Sequence, residues 1–129
     1  MKTEELLAHA RQVRENAYAP YSRFAVGAAI LTDDGTVFTG ANVENASYGL
    51  AICAERSAAV AAVAAGYRDF EAIAVAGPDT TVTAPCGACR QFLNEFNPRL
   101  SVAYTVPDGV TVTTLDQLLS DAFGPKNLR

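Results

Sequence analysis

Residues 84–92 read "APCGACRQF". A proline just ahead of two cysteines three apart has the form of a helix start, and helical positions three apart face the same way. Cys86 and Cys89 can therefore address one point in space. Two thiols fill only half of a tetrahedral metal shell. One other cysteine exists, Cys53 in "ICAERSAAV" at 52–60, with Glu55 two residues beyond it. It also opens an apolar helix. Two helix starts aimed at one point would supply three sulfurs, and a tetrahedral zinc would keep one position free. The positive end of each helix lowers thiol pKa and favours the metal-binding thiolate.

These two helices set the frame for the remaining chain. From Cys53 to Ala65 the composition is Ala-rich, with Gly66 placed as a C-terminal cap, which predicts a buried helix. "FEAIAVAG" (70–77) predicts a strand, "CGACRQFLNEF" (86–96) a helix stopped at Asn97-Pro98, and "LSVAYTV" (100–106) another strand. Upstream, "FAVGAAILT" and "TVFTGANV" flank Asp33, Asp34 and Gly35, a hairpin signal. Residues 3–17 place Leu6, Ala10, Val13 and Ala17 on one helical stripe, broken by Pro20. Thr114 and Gln117 have capping-box spacing and predict a short helix, Leu115–Leu119. The order is that of an α/β layer with a mixed sheet: the hairpin antiparallel, the helix-linked strands parallel.

With 129 residues, half of them hydrophobic, the chain fits a single domain, residues 1–129. Three cysteines would strand one thiol in a disulfide framework, so a reducing, cytoplasmic setting is expected. "MKTEELLAHARQ" lacks the apolar core of a signal peptide, and no apolar run reaches membrane-spanning length. A net charge of −4 offers no basic footprint for a phosphate backbone, so neither nucleic acid nor membrane is an expected partner.

The free coordination position separates catalytic from structural zinc, which closes its shell with four protein ligands. His9, the only histidine, sits on a charged helix and is read as exposed. Glu55 is the discriminating residue. On a regular helix Cys53 and Glu55 would point roughly 200° apart, so they share a site only if Cys53 lies at the non-helical start. There Glu55 can take a proton from water activated by the metal. Three thiolates leave a zinc centre at about −1, which weakens its pull on water. Arg56 and Arg90, one beside each ligand, can offset that charge by donating to sulfur.

"AYAPYSRFAVGAAI", "GANVENASYGLAICAERSA" and "PCGACRQFLNEF", in that order, resemble the small, homo-oligomeric cytidine deaminases nearly end to end. The chain carries the three-cysteine form of the signature already known for zinc deaminases, a cysteine or histidine, x, Glu, then P-C-x-x-C. The resemblance implies a three-layer α/β/α fold with the zinc site at two helix N-termini. It implies one Zn²⁺ per subunit on Cys53, Cys86 and Cys89, Glu55 as proton shuttle, and hydrolysis of cytidine and deoxycytidine to the uridines and ammonia, a pyrimidine-salvage reaction. It implies nucleoside contacts at Phe24, Asn42, Glu44 and Ala54, where the residues alone suggest only a core aromatic and a turn. It implies a homotetramer with active sites shared between subunits, Tyr48 and Phe123 reaching across. Ser120 stands where the family commonly has proline, a departure in the turn before Phe123.

Three other readings use the same residues. A deaminase of another cytosine-bearing small molecule, such as a nucleoside antibiotic, shares the zinc chemistry; Asn42 and Glu44 favour an ordinary sugar. A polynucleotide-editing deaminase lacks its basic surface here. A purely structural zinc module would have no use for an open position beside a carboxylate.

Overall fold

A computed structural model describes residues 1–128. The elements run α1 (Thr3–Arg14), β1 (Gly27–Thr32), β2 (Val37–Ala41), α2 (Ala54–Ala64), β3 (Phe70–Ala76), α3 (Gly87–Asn94), β4 (Ser101–Val106), β5 (Gly109–Thr114) and α4 (Leu115–Leu118). They build one mixed sheet in the order β2-β1-β3-β4-β5. Only the β3–β4 pair, joined through α3, is parallel; the other neighbours are antiparallel. The expected α/β/α sandwich is present.

Strand β1 shows why the sheet is covered on both faces: every one of its residues is buried. Successive side chains of a strand point to opposite faces. Ala28 and Ile30 pack with Ala58 and Ala62 of α2 and Leu93 of α3, while Ala29 and Leu31 pack with Leu6, Leu7 and Ala10 of α1. Full burial of a leucine or isoleucine contributes about 1.5–3 kcal/mol, so both layers are needed. Helix α2 lies hard against β2. A Cβ on Gly40 would fall 2.4 Å from the Ala58 backbone nitrogen and 2.7 Å from the Ala54 carbonyl oxygen. Only glycine permits that approach, and it fixes where α2 begins.

Three local expectations are corrected. Helix α1 ends at Arg14, so Ala17 lies outside it, and Leu7 joins the buried stripe. Beyond the helix, the Tyr18 N–H donates to the Asn42 carbonyl, and the Tyr18 carbonyl accepts from the Glu44 N–H. Strand β5, absent from the sequence reading, pairs antiparallel with β4 around a turn in which Asp108 takes a left-handed φ of 62°. Its residues alternate Val-Thr-Val-Thr, but Val110 and Val112 point to solvent, so the apolar positions do not mark a core face. Helix α4 forms without its capping box: the Thr114 hydroxyl bonds Asp116, and the Gln117 side-chain oxygen accepts from the Thr113 hydroxyl. Among the described residues, no helix is long and apolar enough to cross a membrane.

The β1–β2 turn is tied down by Asp34. Its carboxylate accepts from the Thr36 N–H (3.0 Å), the Thr32 hydroxyl (2.9 Å) and the Tyr67 hydroxyl (2.9 Å). Hydrogen bonds from Thr36, then from Thr32 and Tyr67, lower its pKa from 3.8 to about 2. A folded pKa below the unfolded one contributes stability that is present above the unfolded value and lost as pH falls through the folded value. Asp34→Asn is therefore expected to unfold at lower urea than wild type at neutral pH, with the gap closing between about pH 4 and pH 2. Paired urea titrations across that window check it; a gap independent of pH would refute the assignment.

Candidate metal centre and cleft

Cys53 and Cys86 both sit at helix N-caps in extended backbone, with φ −73°, ψ 153° and φ −68°, ψ 169°. Cys89 lies in the first turn of α3, buried. The pincer expected of two helical cysteines thus forms from one helical and one capping residue, with Pro85 a step further out. The three sulfurs lie within 4.8 Å of one another, Cys53 Sγ and Cys86 Sγ 4.0 Å apart. Zn–S bonds of ~2.3 Å at the tetrahedral angle separate sulfurs by about 3.8 Å, so the cluster needs only slight contraction to close on zinc. No fourth Cys, His, Asp or Glu joins the set among the described residues. His9 is exposed on α1, in a hollow shared with Gln12, Asn16 and Thr39.

The surroundings of Cys53 favour its negative form. The Arg56 guanidinium donates to Cys53 Sγ (3.4 Å), and its Nε is buried without a hydrogen-bond partner. The Cys89 thiol, donating to Cys53, and then the Arg56 side chain lower the Cys53 pKa to about 5. The same hydrogen bond, followed by burial, pushes Cys89 up. Arg90 differs from the expectation. It donates to backbone carbonyls, Nε to Pro85 (2.7 Å) and Nη1 to Leu118 (2.9 Å), so it braces the residue ahead of Cys86 and ties α3 to α4.

The extended conformation of Cys53 removes the angular conflict with Glu55. Glu55 is 5% exposed, in the first turn of α2. Burial, with the nearby Cys53 charge, raises its pKa, so the carboxyl holds a proton more readily than an exposed one. It lies in a cleft of about 370 Å³ with Cys53, Ala54 and Cys86. One wall carries Ser22, Phe24, Val26, Asn42 and Glu44; the other carries Val82, Thr83 and Ala84. A larger hollow, about 470 Å³, lies between α3, α4 and the tail, without a thiol or imidazole in its lining.

Asn42 and Glu44 are already anchored. The Asn42 Oδ1 accepts from the Val26 N–H (2.9 Å), and its Nδ2 donates to the Phe24 carbonyl (2.8 Å). The Glu44 carboxylate accepts from the backbone N–H groups of Tyr21 and Ser22 at 3.0 and 3.1 Å and from the Ser22 hydroxyl. The Ser22 hydroxyl is the chief reason that Glu44 stays below the ordinary carboxylate range. Tyr48 is 74% exposed and packs on Tyr21, ring centroids 5.8 Å apart, beside the cleft mouth. Phe123 is also exposed, with its carbonyl held by Gln91 Nε2 (2.7 Å) and Asn94 Nδ2 (3.4 Å) of α3. Sequence reasoning missed Ser22, the 82–84 wall, Gln91 and Asn94. Thr83 and Ala84 could have been suspected from their place just ahead of Pro85 and Cys86; the others carry no periodic or motif signal.

Residues 1–105 match the family described as the cytidine and deoxycytidylate deaminase zinc-binding region. The chain is 45% identical over 130 residues to a cytidine deaminase of Sporosarcina psychrophila, covering 99% of this chain and 96% of that one. The crystal structure of a cytidine deaminase from Burkholderia pseudomallei superposes with a TM-score of 0.91 at 55% identity, covering 95% of this chain and all of that one. A second, from Mycobacterium tuberculosis, superposes with a TM-score of 0.85 at 44% identity, covering 96% and 98%.

Proposed function

The chain belongs to the cytidine and deoxycytidylate deaminase zinc-binding family, and on that premise we propose that it hydrolyses cytidine and deoxycytidine to the corresponding uridines and ammonia. The observation that carries the reading is a cluster of three thiols, two of which, Cys53 and Cys86, line one cleft together with the buried carboxyl of Glu55. Cys53, Cys86 and Cys89 would hold one zinc ion, and zinc on such ligands supplies Lewis-acid activation of water near neutral pH. Arg56 offsets the thiolate charge from the side of Cys53.

Glu55 moves the protons. It accepts one from the attacking water and passes it to ring N3 as the C4–O bond forms. It then carries the remaining hydroxyl proton to the amino group, the C4–N bond breaks, and ammonia leaves uracil behind. Its burial suits this role, because a raised pKa lets the carboxyl hold a proton between its two transfers more readily than an exposed one would. Phe24 and Ala54 flank the base. Asn42 retains one N–H and one lone pair, and Glu44, with three of about four acceptor sites taken, retains one for a sugar hydroxyl. Incubating the purified protein with cytidine, deoxycytidine and free cytosine, while assaying zinc, tests the reading. Ammonia release from both nucleosides and not from cytosine is expected; inertness toward the nucleosides would sink it.

A second copy of the chain completes the site in this reading, as a homotetramer working in the cytoplasm. The support is an apolar patch at the cleft mouth: Tyr18, Tyr21, Val43, Tyr48, Leu50 and Ile52 are all about half exposed or more, and Phe123 stands free on the tail. Specific activity is therefore expected to fall on dilution, in step with dissociation followed by sedimentation. An active isolated monomer would rule this out.

A further inference from the structure

The cleft wall opposite Phe24 is held by a residue that does not itself line the cleft. Thr105, on β4, bonds both ends of the loop from Gly77 to Thr83. Its hydroxyl accepts from the Gly77 N–H (2.9 Å), and its carbonyl accepts from the Thr83 N–H (2.9 Å). Both threonine side chains are buried, 3% and 6% exposed. The contact at Gly77 has no slack: a Cβ there would fall 2.1 Å from Thr83 Oγ1 and 2.6 Å from its Cγ2. Val82, Thr83 and Ala84, the wall itself, leave this closed seam directly.

We propose that Thr105 is a positioning residue for nucleoside binding, fixing the distance of the Val82–Ala84 wall from Phe24 through its two bonds to the loop ends. The inference rests on the nucleoside reading of the cleft given above. A buried polar seam is sensitive to loss of one partner: a valine in place of Thr105 keeps the shape but leaves the Gly77 N–H without an acceptor, and the loop must move to find one. The metal side is braced separately. Arg90 holds the Pro85 carbonyl, so Cys86 keeps its place when the wall shifts. The separation of the two anchors predicts a change in binding without loss of metal.

The test uses zinc-loaded full-length protein. Thr105→Val is expected to raise KM for cytidine and the inhibition constant of uridine about tenfold, with kcat within about threefold and zinc content unchanged, since small misplacements of a binding wall have effects of this order. Thr105→Ser, which keeps the hydroxyl, restores both constants. Gly77→Ala pushes the same seam from the other side and is expected to raise both constants while leaving Thr105 intact. Unmoved KM and inhibition constants in Thr105→Val and Gly77→Ala, beside an active wild type, overturn the inference alone. Loss of zinc in either variant also overturns it, by placing the seam in service of the ligand. A wild type that neither deaminates cytidine nor binds uridine overturns it together with the proposed function.

Discussion

Glu55→Gln is expected to lower kcat for cytidine by at least ~10²- to 10⁴-fold while retaining zinc in full, the usual range for removing a positioned acid–base group. The substitution keeps the shape of a side chain that is 95% buried, and Glu55 is not among the three clustered metal donors. It removes the only buried carboxyl among the described residues. Because burial disfavours the charged form of that group, the neutral amide is expected to melt no earlier than wild type. KM is expected to change far less than kcat, since proton transfer is demanded in the transition state and not on binding. Steady-state kinetics with zinc analysis of the same preparation reads all of this. A glutamine variant that turned over within tenfold of wild type would end the role assigned to Glu55.

The convergence on that site was legible in the sequence because its parts sit at helix starts, the places where proline, glycine and acid residues leave their clearest marks. Cys53, Glu55, Cys86 and Cys89 come together as the two predicted helix starts required. The capping geometry of Cys53 was legible as well, since no regular helix could bring it beside Glu55. Other features were hidden because tertiary contacts override local preference. Ala17 falls outside α1 because the chain turns away after Arg14, and the next residue, Tyr18, makes backbone bonds with Asn42 and Glu44, partners more than twenty residues away. Arg90 was assigned to sulfur by charge alone, yet two carbonyls lie within reach of its fork, and hydrogen-bond geometry decided the outcome. Strand β5 escaped although Val and Thr alternate along it, because it is a short edge strand whose valines face solvent and mark no buried face. The 82–84 wall belongs to a loop whose shape comes from Thr105, twenty-two residues beyond Thr83, and no local pattern announces such a pair.

Cys89→Ala is expected to have the largest effect of all, a fall in kcat of at least about 10⁴-fold together with loss of zinc, because activating water near neutral pH requires the metal. Of the three sulfurs, Cys89 is the one with no exposure, so no solvent molecule can easily stand in for it. The remaining pair of sulfurs, with the Arg56 guanidinium on Cys53, is a poor site for a dication. Metal bound only by the folded chain stabilises it by mass action, about 2.7 kcal/mol at a free concentration one hundred times Kd. A chelator is therefore expected to lower the melting temperature of wild type, reversibly on adding zinc, and to leave that of Cys89→Ala unmoved. Combining the two substitutions separates metal from proton transfer. If Glu55 acts only on water activated at this centre, Glu55→Gln in the Cys89→Ala background costs little more, since groups that work as a unit are not additive. Full multiplication of the two losses would show that Glu55 acts independently of the sulfur cluster. Stoichiometric zinc and near-normal turnover in Cys89→Ala would remove that sulfur from the centre.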